Sequence, residues 1–399
     1  MSVEGGFGGF GGFGGFGGFG GFGGFGGFGG FGGFGGFGGF GGFGGFGPQP
    51  GYAPDALITH RDGIVGGWVP PTHDGVPVAL KQEHDDPLAN LARWEPWVRA
   101  AALDFEVVSH LHFGAGQDES KTYNGYTLWH LDRTAIPGTV TPRPIARMVR
   151  PPDLSAGNDF WIKQLEIVAN YADLREDRAS EVLTQVTPPI VYWASVMNLQ
   201  PHTKKYTLEL LGLALRFATF AEMRFKHALA VRRPAEMSAQ IQPMIGTPGH
   251  GALPSGHATE AHIVAYVLWN LASAADSTKK KNNVWLEQLM RQASRIAVNR
   301  TVAGVHFPVD SSAGQLLGLT LGEYLLHLCG VGSKYKAWEF LGPKFTATDD
   351  FDWRAQYDTA MPSPARKATA FAVEIPGNQT ATKSVMLEWL WDQAKKEWP

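Results

Sequence analysis

The sequence predicts a mainly α-helical protein, built as one or more helical bundles and preceded by a low-complexity tail that we expect to be disordered. Apolar residues recur at helical spacing through most of the chain after residue 87, whereas the alternation typical of strands is scarce. The tail consists of fourteen Gly-Gly-Phe triplets that run without interruption from Gly5 to Phe46. Glycine at two of every three positions makes ordering of this tail costly in entropy.

The tail divides the chain into two parts. We predict a low-complexity tail and linker over residues 1–50 and an α-helical domain over residues 51–399, which is long enough to bury a large core. Regularly spaced aromatic side chains on a flexible chain favour weak self-association. A tail without any function explains the repeat equally well.

The periodicity of the apolar residues places the helices of the second part. It predicts helices over residues 88–111, 159–175, 179–199, 203–231, 257–275, 284–303, 309–329 and 384–398. The third pattern is broken near Pro188 and Pro189, because proline cannot continue a helix. Residues 52–87 are rich in proline, glycine and aspartate and are expected to be irregular. This succession of helices predicts a bundle.

Charge and cysteine content exclude some classes of partner. The net charge of −3 gives no basic excess that would hold nucleic acid nonspecifically. The single cysteine, Cys329, lies among apolar residues and is expected to be a buried thiol, and the lack of a second cysteine fits a reducing compartment. No signal peptide and no run of about eighteen apolar residues is present, which predicts a cytoplasmic protein without a membrane span.

The segment "KHALAVRRP", residues 226–234, is the first of three that carry candidate functional residues. Lys226 and Arg233 are two helical turns apart and therefore project from one face, and Pro234 ends the helix. Two cations on one face could bind an anion together. Taken alone, this segment is better explained by a solvated basic helix end.

The second segment is "PSGHATEAH", residues 254–262. Ser255 is a candidate N-cap for a helix that starts near His257, and Gly256 allows the backbone to approach a ligand closely. Free N–H groups at a helix start favour an anion, and a histidine there can donate to the anion or move a proton. The alternative is an ordinary helix cap beside an incidental histidine.

The third segment is "NRTVAGVHFPVD", residues 299–310. Arg300 lies near the end of one predicted helix, Gly304 suits the C-terminal turn of that helix, and Pro308 suits the first position of the next. His306 therefore falls in the junction, where Asp310 could hold its far nitrogen and set its tautomer. The alternative is a surface turn with routine capping.

Together and in this order, the three segments resemble the signature of the vanadium-dependent haloperoxidase and type-2 phosphatidic acid phosphatase superfamily. The matching residues are Lys226, Arg233, Pro234, Pro254, Ser255, Gly256, His257, Arg300, Gly304, His306 and Asp310. The third motif usually opens with Ser-Arg, and this chain has Asn299 before Arg300. The motifs span residues 226–310, and the resemblance implies the α-helical fold of that superfamily.

The resemblance also implies roles for these residues. Lys226, Arg233 and Arg300 would clamp the equatorial oxygens of an oxyanion, with Ser255 and the Gly256 N–H as neutral donors. His306 would supply the apical nitrogen, as ligand to vanadium or as nucleophile to phosphorus. His257 would act on the opposite side as acid and base, and Asp310 would support His306.

Both branches of the superfamily share these residues, and three cues favour a vanadate-dependent haloperoxidase that oxidises bromide. The chain lacks membrane spans, and its 51–399 region is larger than the small acid phosphatases of the superfamily. His250 lies seven residues before His257, the spacing found in bromoperoxidase members, although a loop histidine without a role fits nearly as well. The resemblance then implies vanadate on His306, peroxide polarised by Lys226, and hydrogen peroxide, halide and a small organic acceptor as partners.

Two alternatives stay open. A phosphatase would use the same atoms on a phosphoester, through a phosphohistidine at His306 and without a cofactor. A protein of another class would self-associate through the Gly-Gly-Phe tail, and homo-oligomers are common among the large helical members of the superfamily. The remaining histidines fit no standard zinc spacing and are expected to be core or surface residues; the ones considered are His84, His110, His112 and His130.

Overall fold

The computed structural model describes most of the chain after the tail. The described residues are 63–69, 72–73, 76–77, 87–133, 140–153, 159–187, 189–276, 278, 283–360 and 364–398. The Gly-Gly-Phe tail lies outside these ranges, and its disorder and self-association stay predictions. Two compact units divide the chain at residues 99 and 100. Every candidate site residue belongs to the second unit.

Eleven helices occur in the described part of the chain. They are α1 (Pro87–Arg93), α2 (Pro96–Val108), α3 (Phe160–Asn170), α4 (Arg175–Thr184), α5 (Ile190–Met197), α6 (Lys205–Leu229), α7 (Pro234–Met237), α8 (Gly256–Ala275), α9 (Val284–Val302), α10 (Pro308–Leu328) and α11 (Val385–Lys395). The long helices agree with the predicted ranges to within a few residues. Two predicted helices are each split in two, and the 159–175 pattern closes with a 3₁₀ turn over Tyr171–Leu174.

The described residues also form nine strands. They are β1 (Thr72–His73), β2 (Val76–Pro77), β3 (Leu111–Gln117), β4 (Asn124–Arg133), β5 (Val140–Val149), β6 (Tyr335–Leu341), β7 (Tyr357–Asp358), β8 (Ala365–Arg366) and β9 (Ala372–Gln379). Five of them make a mixed sheet in the order β3-β4-β5-β6-β9, in which only β5 and β6 run parallel. The prediction of a mainly α-helical bundle is therefore wrong, because a helical core is combined with a substantial sheet.

Prolines hid the central strand of this sheet from the sequence analysis. Strand β5 contains Pro142 and Pro144, which lack a backbone N–H and normally argue against a central strand. In the structure β6 pairs with β5 only over residues 146–149, whereas β4 pairs along residues 140–148. Both prolines therefore lie where one side of β5 has no partner strand. The tertiary pairing makes them compatible with the sheet.

Helix α10 forms the centre of the second unit. It is buried along its whole length except at Glu323, and it packs against α8 on one side and against β5 and β6 on the other. Helix α8 also contacts α6 and α9. A helix that is buried on all sides is typical of such a core position.

Three glycines at four-residue spacing set the close approach of α8 and α10. A Cβ at Gly314 would lie 2.6 Å from the carbonyl oxygen of Ser255, and one at Gly318 would lie 2.3 Å from that of Thr259. At Gly322 the nearest atom would belong to Tyr266, at 3.0 Å. The absence of these side chains brings the start of α10 against the start of α8, where two of the three candidate segments lie.

Candidate active site

The three segments that the sequence analysis grouped meet around the N-terminus of α8. Lys226 lies in the last turn of α6, and Arg233 precedes α7. Ser255 is the N-cap of α8, with its side chain accepting a hydrogen bond from the Ala258 N–H. Its own N–H donates to the carbonyl of Asp310 at 2.9 Å, which ties the second segment to the third.

His306 and Asp310 form a buried pair at the junction of α9 and α10. His306 Nδ1 lies 2.9 Å from Asp310 Oδ2, which also accepts from the Phe307 N–H. On the other side of the ring, Arg233 Nη1 donates to Nε2 at 3.0 Å. Because a guanidinium can only donate, the ring proton is on Nδ1 and the Nε2 lone pair faces the cation. Burial, with the nearby charges of Arg233 and Lys226, holds the pKa of His306 well below its usual range.

Arg233 connects His306 to His250. Its Nε donates to the carbonyl of His250 at 3.0 Å, and its Nη2 lies 3.1 Å from His250 Nδ1. A further bond from Nη1 reaches the carbonyl of Val305 at 2.7 Å. Arg233 is buried, whereas His250 is exposed. Although the residue as a whole is exposed, its ring packs against Arg233, and this partial burial, followed by the charge of Lys226, lowers the pKa of His250 to about 4. The structure thus places His250 at the outer side of the cationic site.

Lys226 is buried beneath the turn that leads into α8. Its ammonium donates to the carbonyl of Pro254 at 2.6 Å and has longer contacts, at 3.5 Å, with those of Gly251 and Ala252. Burial lowers its pKa, and the negative charge of Glu222 partly offsets that effect. The cation is held mostly by neutral carbonyl groups, and its charge remains available to an anion.

Glu222 is a site residue that the sequence analysis missed. It is buried one helical turn before Lys226, and its Oε2 atom has no hydrogen-bond partner in the described protein. A Cβ at Gly256 would lie 2.5 Å from Glu222 Oε1, so this glycine makes room for the carboxylate. The four-residue spacing of glutamate and lysine in "EMRFK" was the signal that could have revealed it.

His257 is oriented by a backbone carbonyl. Its Nε2 lies 2.7 Å from the carbonyl oxygen of Gln185, just after α4, so Nε2 carries the proton that donates to this oxygen. Nδ1 is then the nitrogen left for a substrate. Burial, followed by the charge of Arg300, lowers the pKa of His257 to about 3. The imidazole is therefore neutral when no anion is bound.

Arg300 supplies hydrogen-bond donors that the protein itself leaves unused. The side chain is fully buried, and its Nη2 donates to the carbonyl of Val182 at 3.1 Å and to Gln185 Oε1 at 3.2 Å. Its Nε and Nη1 have no partner within the described chain. Burial lowers its pKa to about 10, which leaves it charged at neutral pH. A buried cation with unpaired donors is costly, and an anion would relieve the cost.

The remaining histidines lie away from these residues. His130, in β4, bonds to Tyr324 at 2.7 Å and to Asp132 at 2.9 Å, and its ring stacks on His110. His112 stacks on Trp129. His84 lies outside the described residues, and Cys329 is buried as predicted. Within the described ranges, no group of three or more histidine, cysteine or acidic residues could hold a metal ion.

A family model matches the part of the chain that holds the candidate site. The model of the PAP2 superfamily matches residues 207–330, the range that contains all three segments. Over this range the chain is similar to the PAP2 superfamily. The predicted membership is confirmed by this match.

The chain is also similar to a solved structure. The transmembrane PAP2-type phosphatidylglycerolphosphate phosphatase from Bacillus subtilis matches with 19% sequence identity and a TM-score of 0.33, over 41% of this chain and 83% of that chain. No curated protein matches the chain. In the part of the chain that the structure describes, no helix has the length and apolar character needed to cross a membrane.

These comparisons correct part of the sequence-based prediction. The match to the PAP2 superfamily supports an enzyme, and the phosphatase alternative fits this match better than the preferred haloperoxidase. The predicted partners were hydrogen peroxide, a halide and an organic acceptor for a protein without a membrane span. The match to the PAP2 superfamily gives no support to that set of partners, and it is not carried further.

Proposed function

We propose that this protein is a phosphatase that hydrolyses a phosphate monoester through a phosphohistidine intermediate on His306. The observation that carries the proposal is the state of His306, whose Nδ1–H is held by Asp310 and whose Nε2 lone pair faces Arg233. A neutral imidazole with a fixed tautomer is the form that can attack phosphorus. Arg300 adds two unused N–H donors to the same set of residues.

In the first step, His306 Nε2 attacks phosphorus and the bond to the ester oxygen breaks. Arg233, Arg300 and Lys226 offset the charge that builds on the equatorial oxygens. The negative charge of the bound ester raises the pKa of His257, which then carries a proton on Nδ1. His257 gives this proton to the leaving oxygen, and the alcohol departs.

In the second step, water replaces the histidine on phosphorus. His257 is neutral after the first step and takes a proton from water as the water oxygen attacks. The bond between phosphorus and His306 Nε2 breaks, and inorganic phosphate leaves. The sum of the two steps is one ester and one water converted to one alcohol and one phosphate, with both histidines restored.

The test is the turnover of a chromogenic phosphate monoester by the wild-type chain and by His306→Ala. We expect the variant to lose on the order of 10³-fold or more in kcat/KM, because the nucleophile is absent. With ³²P-labelled substrate, denaturation in alkaline detergent should retain label on the wild-type protein only. Full turnover by His306→Ala would disprove the role of His306.

Vanadate provides the second arm of the experiment. The residues that would hold a phosphoryl group also suit vanadate, the cofactor expected from the sequence, since vanadate mimics the phosphoryl transition state. We expect it to inhibit phosphate release competitively. Vanadate-dependent bromination without phosphate release would reject the phosphatase proposal.

A further inference from the structure

Gln185 contacts two residues of the candidate site and belongs to none of the three segments. It follows α4 and is fully buried. Its backbone carbonyl accepts from His257 Nε2 at 2.7 Å, and its side-chain Oε1 accepts from Arg300 Nη2 at 3.2 Å. One residue thus holds both the acid-base histidine and a cation of the oxyanion site.

The neighbouring bonds determine which way the Gln185 amide faces. Arg178 Nη1 lies 2.6 Å from Asn299 Oδ1, and because a guanidinium only donates, this atom of Asn299 must be the oxygen. The amide nitrogen of Asn299 therefore donates to Gln185 Oε1, at 2.9 Å. Since Asn299 and Arg300 both donate to the same atom of Gln185, that atom must also be an oxygen. The Nε2 of Gln185 is left as a donor.

This donor has no partner among the described residues. Gln185 Nε2 is buried and unpaired, as are Nε and Nη1 of the adjoining Arg300. Buried donors without acceptors are rare because each costs free energy. Here three such donors lie on two side chains that are bonded to each other, and Gln185 also orients His257. This arrangement indicates a binding place for a ligand that is rich in hydrogen-bond acceptors.

We propose that Gln185 is an oxyanion-binding residue, whose Nε2–H donates to an oxygen of the bound phosphoryl group beside Arg300. The proposal rests on the proposed function of the same site. Asn299, where the superfamily pattern usually has serine, then serves to hold Gln185 Oε1 so that Nε2 remains the free donor.

The experiment measures binding of inorganic phosphate and of orthovanadate by calorimetry. We expect Gln185→Ala to weaken both by about tenfold or more, the usual loss for a hydrogen bond to a charged group. Gln185→Glu should weaken them further, because it replaces a donor with a negative charge next to the anion. The backbone contact with His257 persists in both variants. Binding within twofold of wild type by a folded Gln185→Glu protein would overturn the proposal.

Two controls separate direct contact from a structural role. Asn299→Ala removes one partner of Gln185 Oε1 and leaves Nε2 in place, so it should weaken phosphate binding less than Gln185→Ala does. An equal loss would mean that Gln185 acts through the contacts of its Oε1 and not through a bond from Nε2 to the anion. Gln356→Ala removes another buried glutamine, which bonds to Ser312 and Gln315, and should leave phosphate affinity unchanged.

The wild-type result distinguishes the two proposals. If the wild-type protein binds phosphate and vanadate and the Gln185 variants bind equally well, only the role of Gln185 is rejected. If the wild-type protein binds neither anion and releases no phosphate from esters, the proposed function fails and the role of Gln185 fails with it. Thermal unfolding of each variant establishes that the binding values refer to folded protein.

Discussion

At the scale of single residues, the candidate site combines three buried cations with histidines that are kept neutral. Arg233 donates to His306 Nε2, and Arg300 retains two unused donors. Burial, together with the nearby cations, lowers the pKa values of His257 and His306, so the positive charge of the site is carried by Lys226 and the two arginines. Glu222 is a buried carboxylate next to Lys226 and moderates this charge.

Glu222 therefore influences the pH range in which Lys226 can help to bind an anion. Lys226 has a pKa lowered to about 8 by burial, while Glu222, Asp310 and Glu260 raise it and Arg233 lowers it. Phosphate affinity should thus fall as the pH rises through this pKa, because the ammonium loses its charge. In Glu222→Gln the supporting negative charge is gone, the pKa of Lys226 is lower still, and the decline should begin at a lower pH.

The measurement is the inhibition constant of phosphate between about pH 7.5 and 9, a range in which inorganic phosphate is mostly a dianion. Glu166→Gln removes an exposed carboxylate on α3 and is the matched control, expected to leave the profile unchanged. If phosphate affinity declines at the same alkaline pH in Glu222→Gln and in the wild type, Glu222 does not set the charge of Lys226.

At the scale of elements, the contact between α8 and α10 brings the second and third segments together. The glycines of α10 let its backbone approach α8, and the Ser255 N–H donates to the Asp310 carbonyl across this contact. The repeat of glycine at every fourth position in "AGQLLGLTLGE" was a signal of close helix packing that the sequence analysis did not use.

The Gly318→Ala substitution tests this contact. Its Cβ would lie 2.3 Å from the carbonyl oxygen of Thr259, which is backbone and cannot move aside without shifting a helix. We expect a loss of about 1–3 kcal/mol or more in the free energy of unfolding, measured by denaturant titration. Gly246→Ala has open space around the new methyl group and should unfold at nearly the wild-type denaturant concentration. Equal stability of the two variants would mean that α8 and α10 do not depend on close packing at Gly318.

At the scale of the whole molecule, buried cationic groups with unpaired donors are a cost to stability that a bound anion should remove. Arg300 is fully buried and has two unpaired donors. Its hydrogen-bond partners in the described chain do not include a carboxylate. Ligands that bind only the folded state stabilise it in proportion to the logarithm of their concentration.

Phosphate or vanadate should therefore raise the melting temperature of the wild-type protein. At about one hundred times the Kd, the expected gain is about 2.7 kcal/mol. Arg300→Met keeps a long buried side chain but removes the charge, so the rise in melting temperature should disappear. A rise of the same size in Arg300→Met would place the anion at another site. Calorimetric scans with sulfate-free buffer provide the measurement.

The long helices and the composition of the candidate site could be predicted from the order of the residues alone. Helical periodicity and the cap at Ser255 depend on residues close in the chain, and the spacing of the three segments identified the PAP2 superfamily. The assignment of the residues to peroxidase chemistry went beyond what that spacing contains, since both branches share these residues. The same local reasoning failed for β5, because its prolines are acceptable only in the part of the strand that does not pair with β6.

The sheet, the state of the histidines and the parts played by Glu222 and Gln185 emerged only from the folded chain. Strand pairing joins β5 to β6 across more than 180 residues of chain, and no local pattern encodes such a partner. Gln185 reaches Arg300 and His257 in the same way, from a helix end far from both in sequence. Burial, tautomers and pKa values arise from neighbours in space, so they follow from the packing of the elements and not from the order of the residues.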